Sequence, residues 1–203
     1  MRKLEPKDME ISTYLESGRE PDFNNLLKIL ERGRPDRPTL FEFFLNEGLY
    51  KKLAGVGPDS NYAGLDKIKT DIKAYTHAGY DYTTVQGSDF RFTSERRQGK
   101  KSISLNQGAV IHDRHSFKEY PWPDPDSYDY SRLDSLAPEL PEGMKFIVWG
   151  DGGVLENVIQ LTGYDNLCYM IADDPGLVRD LFYEVGSRFV RYYEICAGYE
   201  SVG

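Results

Sequence analysis

Two aspartates stand where a carboxylate can do chemistry. Asp151 follows the apolar run Phe146-Ile147-Val148-Trp149 after a single glycine, and the loop Gly150-Asp151-Gly152-Gly153 opens into an amphipathic segment, VLENVIQLTG. Asp89 follows the β-rich run Tyr80 to Gln86, YDYTTVQ, after only Gly87 and Ser88. Parallel α/β architectures place reactive groups at the carboxyl ends of their strands. A carboxylate there can transfer a proton or hold a polar substrate group. Each aspartate reads equally well as a local device, Asp151 as a helix cap and Asp89 as a cap or turn residue.

The elements that must carry these groups follow from periodicity and punctuation. Phe146 to Trp149 lack polar alternation, which suits a strand covered on both faces. Asp22 precedes Phe23, Leu26, Leu27 and Leu30 at helical spacing, and Gly33 and Pro35 close that segment. Thr39 to Phe44, TLFEFF, is short and rich in β-formers, so it reads as the first strand, carrying Glu42. Leu65, Ile68, Ile72 and Tyr75 mark a helix that Gly79 ends, ahead of the Tyr80 to Gln86 strand.

Residues 91 to 143 interrupt this rhythm. Lys101 to Leu105 and Ala109 to His112 flank Asn106-Gln107-Gly108 as a β-hairpin would, and the Pro-rich stretch YPWPDPDSYDYSRLDSLAPELPEG follows. His112 and His115 have the spacing of two metal ligands on one helix face, but on extended chain they point to opposite faces, and no second pair is visible. Trp122 reads as a packing anchor. From Asp174-Pro175 an apolar stripe of Leu177, Val178, Leu181, Val185, Phe189, Tyr192 and Cys196 predicts one long helix, with Arg179, Arg188 and Arg191 on a solvated face. Tyr199 to Val202 reads as the opening of a further strand.

Composition narrows the classes. The chain has 203 residues, 39% of them hydrophobic and 13% aromatic, enough for a packed core. Its 25 basic and 33 acidic residues leave a net charge of -8, which argues against nucleic acid and anionic membranes as partners. Met1 to Pro6 lack an apolar signal core and no run is long enough to span a bilayer, so a cytoplasmic protein is expected. Cys168 and Cys196 read as buried, reduced thiols on helices.

Taken in order, PDFNNLLKILERGRPDRP, AGYDYTTVQGSDF, YPWPDPDSYDYS and GGVLENVIQLTGYDNLCYMIADDPGLVRDLF resemble the amino-terminal half of the uroporphyrinogen decarboxylase family, over about residues 22 to 203. The resemblance implies a (β/α)8 TIM-barrel type of α/β fold, of which this chain holds the first three to four βα units. Residues 1 to 21 would form an N-terminal extension and about 91 to 143 an insertion. Members of that family include tetrapyrrole decarboxylases and methyltransferases that pass methyl groups between corrinoid proteins and thiols.

Carried over residue by residue, the resemblance is uneven. Where the decarboxylases have an Arg-rich loop resembling RQAGRY, this chain has Glu42, Phe43, Phe44, Leu45 and Asn46; where they have a tyrosine after the third strand, it has about Val158. Ser88-Asp89 matches the family's aspartate after the second strand. An acidic macrocycle needs cationic partners, arginine above all, so the resemblance implies a methyltransferase-type member before a tetrapyrrole carboxy-lyase. Asp89 and Asp151 are then the expected catalytic residues, with Ser88, Glu42, Gly152 and Gly153 as substrate contacts. Zinc and a corrinoid would be cofactors of the complete protein, with the metal ligands on later strands, and the partner would be a small molecule or a corrinoid protein. The competing expectation is an inactive, truncated or binding half-barrel, which an open parallel edge would allow to pair as a homodimer.

Overall fold

The computed structural model describes residues 19–95 and 104–203. In chain order these form α1 (Asn24–Leu30), α2 (Glu47–Leu53), α3 (Gly64–His77), β1 (Tyr82–Gln86), α4 (Arg114–Glu119), α5 (Arg132–Leu136), β2 (Lys145–Trp149), α6 (Val154–Thr162), α7 (Tyr164–Asp173) and α8 (Pro175–Ala197). The fold is mixed α/β and mostly helical, with β1 and β2 paired in parallel. Two units divide the described residues: 19–85 with 131–148 and 199–203, and 86–95 and 104–130 with 149–198. No helix among the described residues is long and apolar enough to cross a membrane.

The first unit contains the sheet. β1 is buried on both faces over Tyr82 to Val85. β2 buries Phe146 fully, while Ile147, Val148 and Trp149 keep partial exposure, so its apolar run is less enclosed than its composition predicts. On the far side of β2 the chain returns at its end: Phe146 N–H donates to Ser201 O at 2.8 Å and Gly203 N–H to Phe146 O at 3.1 Å. This single parallel bridge, Phe146 to Val202, is what stands where a further strand was expected. Successive parallel segments therefore lie side by side in sequence order.

Helices α1 and α3 follow their punctuation. The Asp22 carboxylate accepts from Asn24 N–H at 3.1 Å, and Gly33 N–H donates back to Lys28 O at 2.6 Å. Gly79 ends α3 with φ +82°, a backbone that only glycine adopts freely. α2 is absent from the sequence expectation. Asn46 caps it by accepting from Leu49 N–H at 2.9 Å, but only seven residues follow, too few to show a period.

The expected strand over Thr39–Phe44 does not form. Its backbone partners are side-chain hydroxyls: Tyr82 Oη donates to Glu42 O at 2.8 Å, Tyr75 Oη donates to Glu42 O and Phe43 O at 3.0 Å, and Thr84 Oγ1 donates to Phe43 O at 3.0 Å. Glu42 N–H donates in turn to Tyr82 Oη at 2.7 Å. With these groups satisfied, the segment gains nothing from a ladder. Phe41 and Phe44 are left more than half exposed.

Residues 1–18 of the expected N-terminal extension lie outside the described residues. Residues 19–21 are tied down. Asp81, 1% exposed at the amino end of β1, accepts from both guanidinium nitrogens of Arg37 at 2.7 to 3.1 Å and from Asp22 N–H at 2.9 Å, with Arg19 at 3.7 Å. Arg37 also donates to Glu20 O at 2.6 Å.

The second unit is built on α8, whose Leu177, Leu181, Val185, Phe189, Tyr192 and Cys196 are buried as the stripe predicts. It packs on α6 and α7. Asp174 caps it at Leu177 N–H, 3.0 Å away. Arg179 and Arg191 are exposed as expected, whereas Arg188 is half-buried. Arg188 covers the Trp122 ring at 4.9 Å and donates to Pro123 O at 2.9 Å, and Arg191 grips Asp126 through Nε at 2.8 Å and through a second guanidinium nitrogen. The Pro-rich stretch supplies carbonyl, carboxylate and ring partners that helical spacing cannot reveal.

The hairpin is also corrected. Lys101 to Ile103 lie outside the described residues, and 104–112 are turn and irregular chain. Val110 and Ile111 N–H both donate to Leu161 O, at 2.8 and 2.9 Å, so the end of α6 replaces a partner strand. Cys168 is exposed on α7, against expectation, whereas Cys196 is buried and its thiol is pushed up to about 11 by burial. At pH 8 a disulfide reagent should modify one thiol at once and the second only on denaturation. Two fast thiols would contradict this placement.

Candidate functional site

The carboxyl ends of β1 and β2 run into the second unit as two short loops. Gly87 N–H donates to Tyr192 Oη at 2.7 Å, and Tyr192 Oη donates to Trp149 O at 2.9 Å. One hydroxyl on α8 therefore holds both strand ends. The Tyr192 ring is 1% exposed and stacks on Phe90 at 5.4 Å between centroids. Burial raises its phenol well above the ordinary range, so the group stays protonated and can donate to one loop while accepting from the other.

Glycine is required at both strand ends. A Cβ on Gly87 would meet Cys196 Sγ at 2.4 Å, and one on Gly150 would meet the Phe189 ring at 2.5 Å. Gly150 N–H donates to Tyr193 Oη at 3.1 Å. Adjacent strands run about 4.8 Å apart, so the loops that begin at these glycines start as neighbours. Asp89 and Asp151 are both exposed on those loops.

Asp151 is not a helix cap. Gly153 is the N-cap of α6 and no side chain caps it. The loop is shaped instead by Asn157, 3% exposed, whose Nδ2 donates to Asp151 O at 2.7 Å and Gly153 O at 2.9 Å. Gly152 turns the chain at φ +80°. A Cβ on Gly153 would meet the Glu156 carboxylate at 2.4 Å, so the space beside that glycine already holds an acidic group. The loop thus presents Asp151 and Glu156, and the glycines expected to allow close backbone approach of a substrate are instead flanked by Glu156 and Asn157.

The remaining expected contacts are placed differently. Ser88 is 2% exposed, and its Oγ accepts from Phe90 N–H at 3.2 Å and meets the Tyr130 hydroxyl, so it shapes the turn from inside. Glu42 belongs to the first unit, where its backbone is held by Tyr75 and Tyr82. Val158, about where the resemblance would put a tyrosine, is fully buried. His112 is exposed, and His115 pairs with Glu119 at 3.3 Å along α4.

Tyr192, Tyr193 and Asn157 escape sequence reading for different reasons. Tyr192 lies on the apolar stripe and its ring packs as that stripe predicts, which hides the work of its hydroxyl. Asn157 does carry a signal: an amide one position before the core-facing Val158 needs buried partners. Among the described residues no three His, Cys, Asp or Glu side chains converge to hold a metal. No family model, curated protein or solved structure matches the chain.

Proposed function

We propose that this chain is a uroporphyrinogen decarboxylase-like (β/α)-barrel protein of the methyltransferase type, in which Asp89 and Asp151 hold a polar small-molecule or corrinoid substrate and exchange protons with it. The observation that carries the reading is the common anchoring of two neighbouring parallel strand ends, each followed by an exposed aspartate. The sequence-order pairing of β1, β2 and the chain at Val202 supports a singly wound barrel, in which each strand neighbours its successor.

Charge favours the methyltransferase branch over tetrapyrrole decarboxylation. A polycarboxylate macrocycle would approach two exposed carboxylates. Carboxylates suit the amide donors that fringe a corrin ring. The zinc implied by the resemblance finds no ligand set among the described residues, and no step runs through it.

Titration with hydroxocobalamin and, separately, with coproporphyrin III tests the reading. Saturable binding of the first alone is expected. Because charge-assisted hydrogen bonds contribute about 1.5–3 kcal/mol, Asp89→Asn or Asp151→Asn should weaken it roughly 10- to 100-fold. Porphyrin binding without cobalamin binding would move the protein to the decarboxylase branch, and binding unchanged in both variants would remove the aspartates from the site.

A further inference from the structure

The two aspartates can act on one substrate only if their loops keep a fixed spacing, and the loops are separate in sequence. Gly87 N–H and Trp149 O are each bonded to Tyr192 Oη, which places them within two hydrogen-bond lengths of each other. The hydroxyl is pinned from behind. Its ring is stacked on Phe90, lies 5.9 Å from Tyr130 and 5.2 Å from Tyr193, and sits over one turn from Cys196, whose sulfur occupies the space a Gly87 side chain would need. Such a phenol cannot swing to follow one loop and abandon the other.

We propose that Tyr192 is the positioning residue of this site, a strut whose hydroxyl sets the distance between the Asp89 and Asp151 loops. The inference rests on the reading of those aspartates as a working pair. Tyr193 holds Gly150 N–H but makes no bond to the β1 loop, so it steadies one side only. Phenylalanine at position 192 would preserve the ring packing while leaving the Gly87 donor and the Trp149 acceptor without their shared partner.

Nitroxide labels at D89C and D151C, in a Cys168→Ser background, measure the spacing without any ligand. Strong dipolar broadening with a narrow distance distribution is expected, and adding Tyr192→Phe should widen that distribution and speed hydrogen exchange at Gly87. Absence of broadening before Tyr192 is altered would remove the pairing of the aspartates. A narrow distribution unchanged by Tyr192→Phe would keep the pairing and overturn the strut. If Tyr192→Phe fails to fold, Gly87 exchange in the unaltered protein decides: a strongly protected amide supports the bond to Tyr192, and exchange at the free-peptide rate overturns it.

Discussion

Replacing Arg37 with alanine should cost about 3 kcal/mol of folding stability, near the low end of the roughly 3–5 kcal/mol seen when one partner of a buried ion pair is removed. The Asp81 carboxylate is 1% exposed and receives both guanidinium nitrogens of Arg37. Without them it keeps only Asp22 N–H and the more distant Arg19, at 3.7 Å. A buried carboxylate so poorly matched is expensive to hold ionised. Denaturant unfolding of Arg37→Ala measures the loss. Adding Asp81→Asn to the same chain should recover part of it, because an amide carries no charge to bury; a loss below about 1 kcal/mol would show that Asp81 is hydrated despite its position.

Phe146→Ala should be at least as damaging, at about 3–5 kcal/mol for a fully buried phenylalanine truncated in a core. Phe146 has no exposed surface and sits in the middle strand of the parallel set, with β1 on one side and residues 201–203 on the other. Its backbone bonds survive the substitution, so the cost isolates packing from hydrogen bonding. Phe146→Leu should recover more than half of the loss. A midpoint shift equivalent to less than about 1 kcal/mol would mean that the site collapses around the missing ring.

Strong local signals were legible. Lys145 to Trp149 forms the predicted strand, α3 spans Gly64–His77 against an expectation of Leu65 to Ala78, and α8 starts at its Asp174-Pro175 signal. These segments have period and punctuation in agreement. Thr39 to Phe44 has equal β-propensity and no strand, because Tyr75, Tyr82 and Thr84 supply its hydrogen bonds from other elements. Propensity reports only what a segment would do against a neutral background.

The site divides along the same line. Where Asp89 and Asp151 stand relative to their strands is a matter of local order and could be read. What links the strand ends that precede them is a hydroxyl from residue 192, and what shapes the Asp151 loop is an amide from residue 157. Ser88 has the same residue type whether it faces a ligand or the interior, and only its 2% exposure separates the two. Side-chain polarity marks that a partner exists; tertiary structure names it.

The Tyr192 contact also orders events on the ribosome. Gly87 is synthesised 105 residues before the tyrosine that captures it. At about 5–20 residues per second, the first loop waits roughly 5–20 s for its partner. Until α8 emerges, that phenol cannot join the nascent β1 end to Trp149, so the link between the two strand ends forms only after residue 192 has been made.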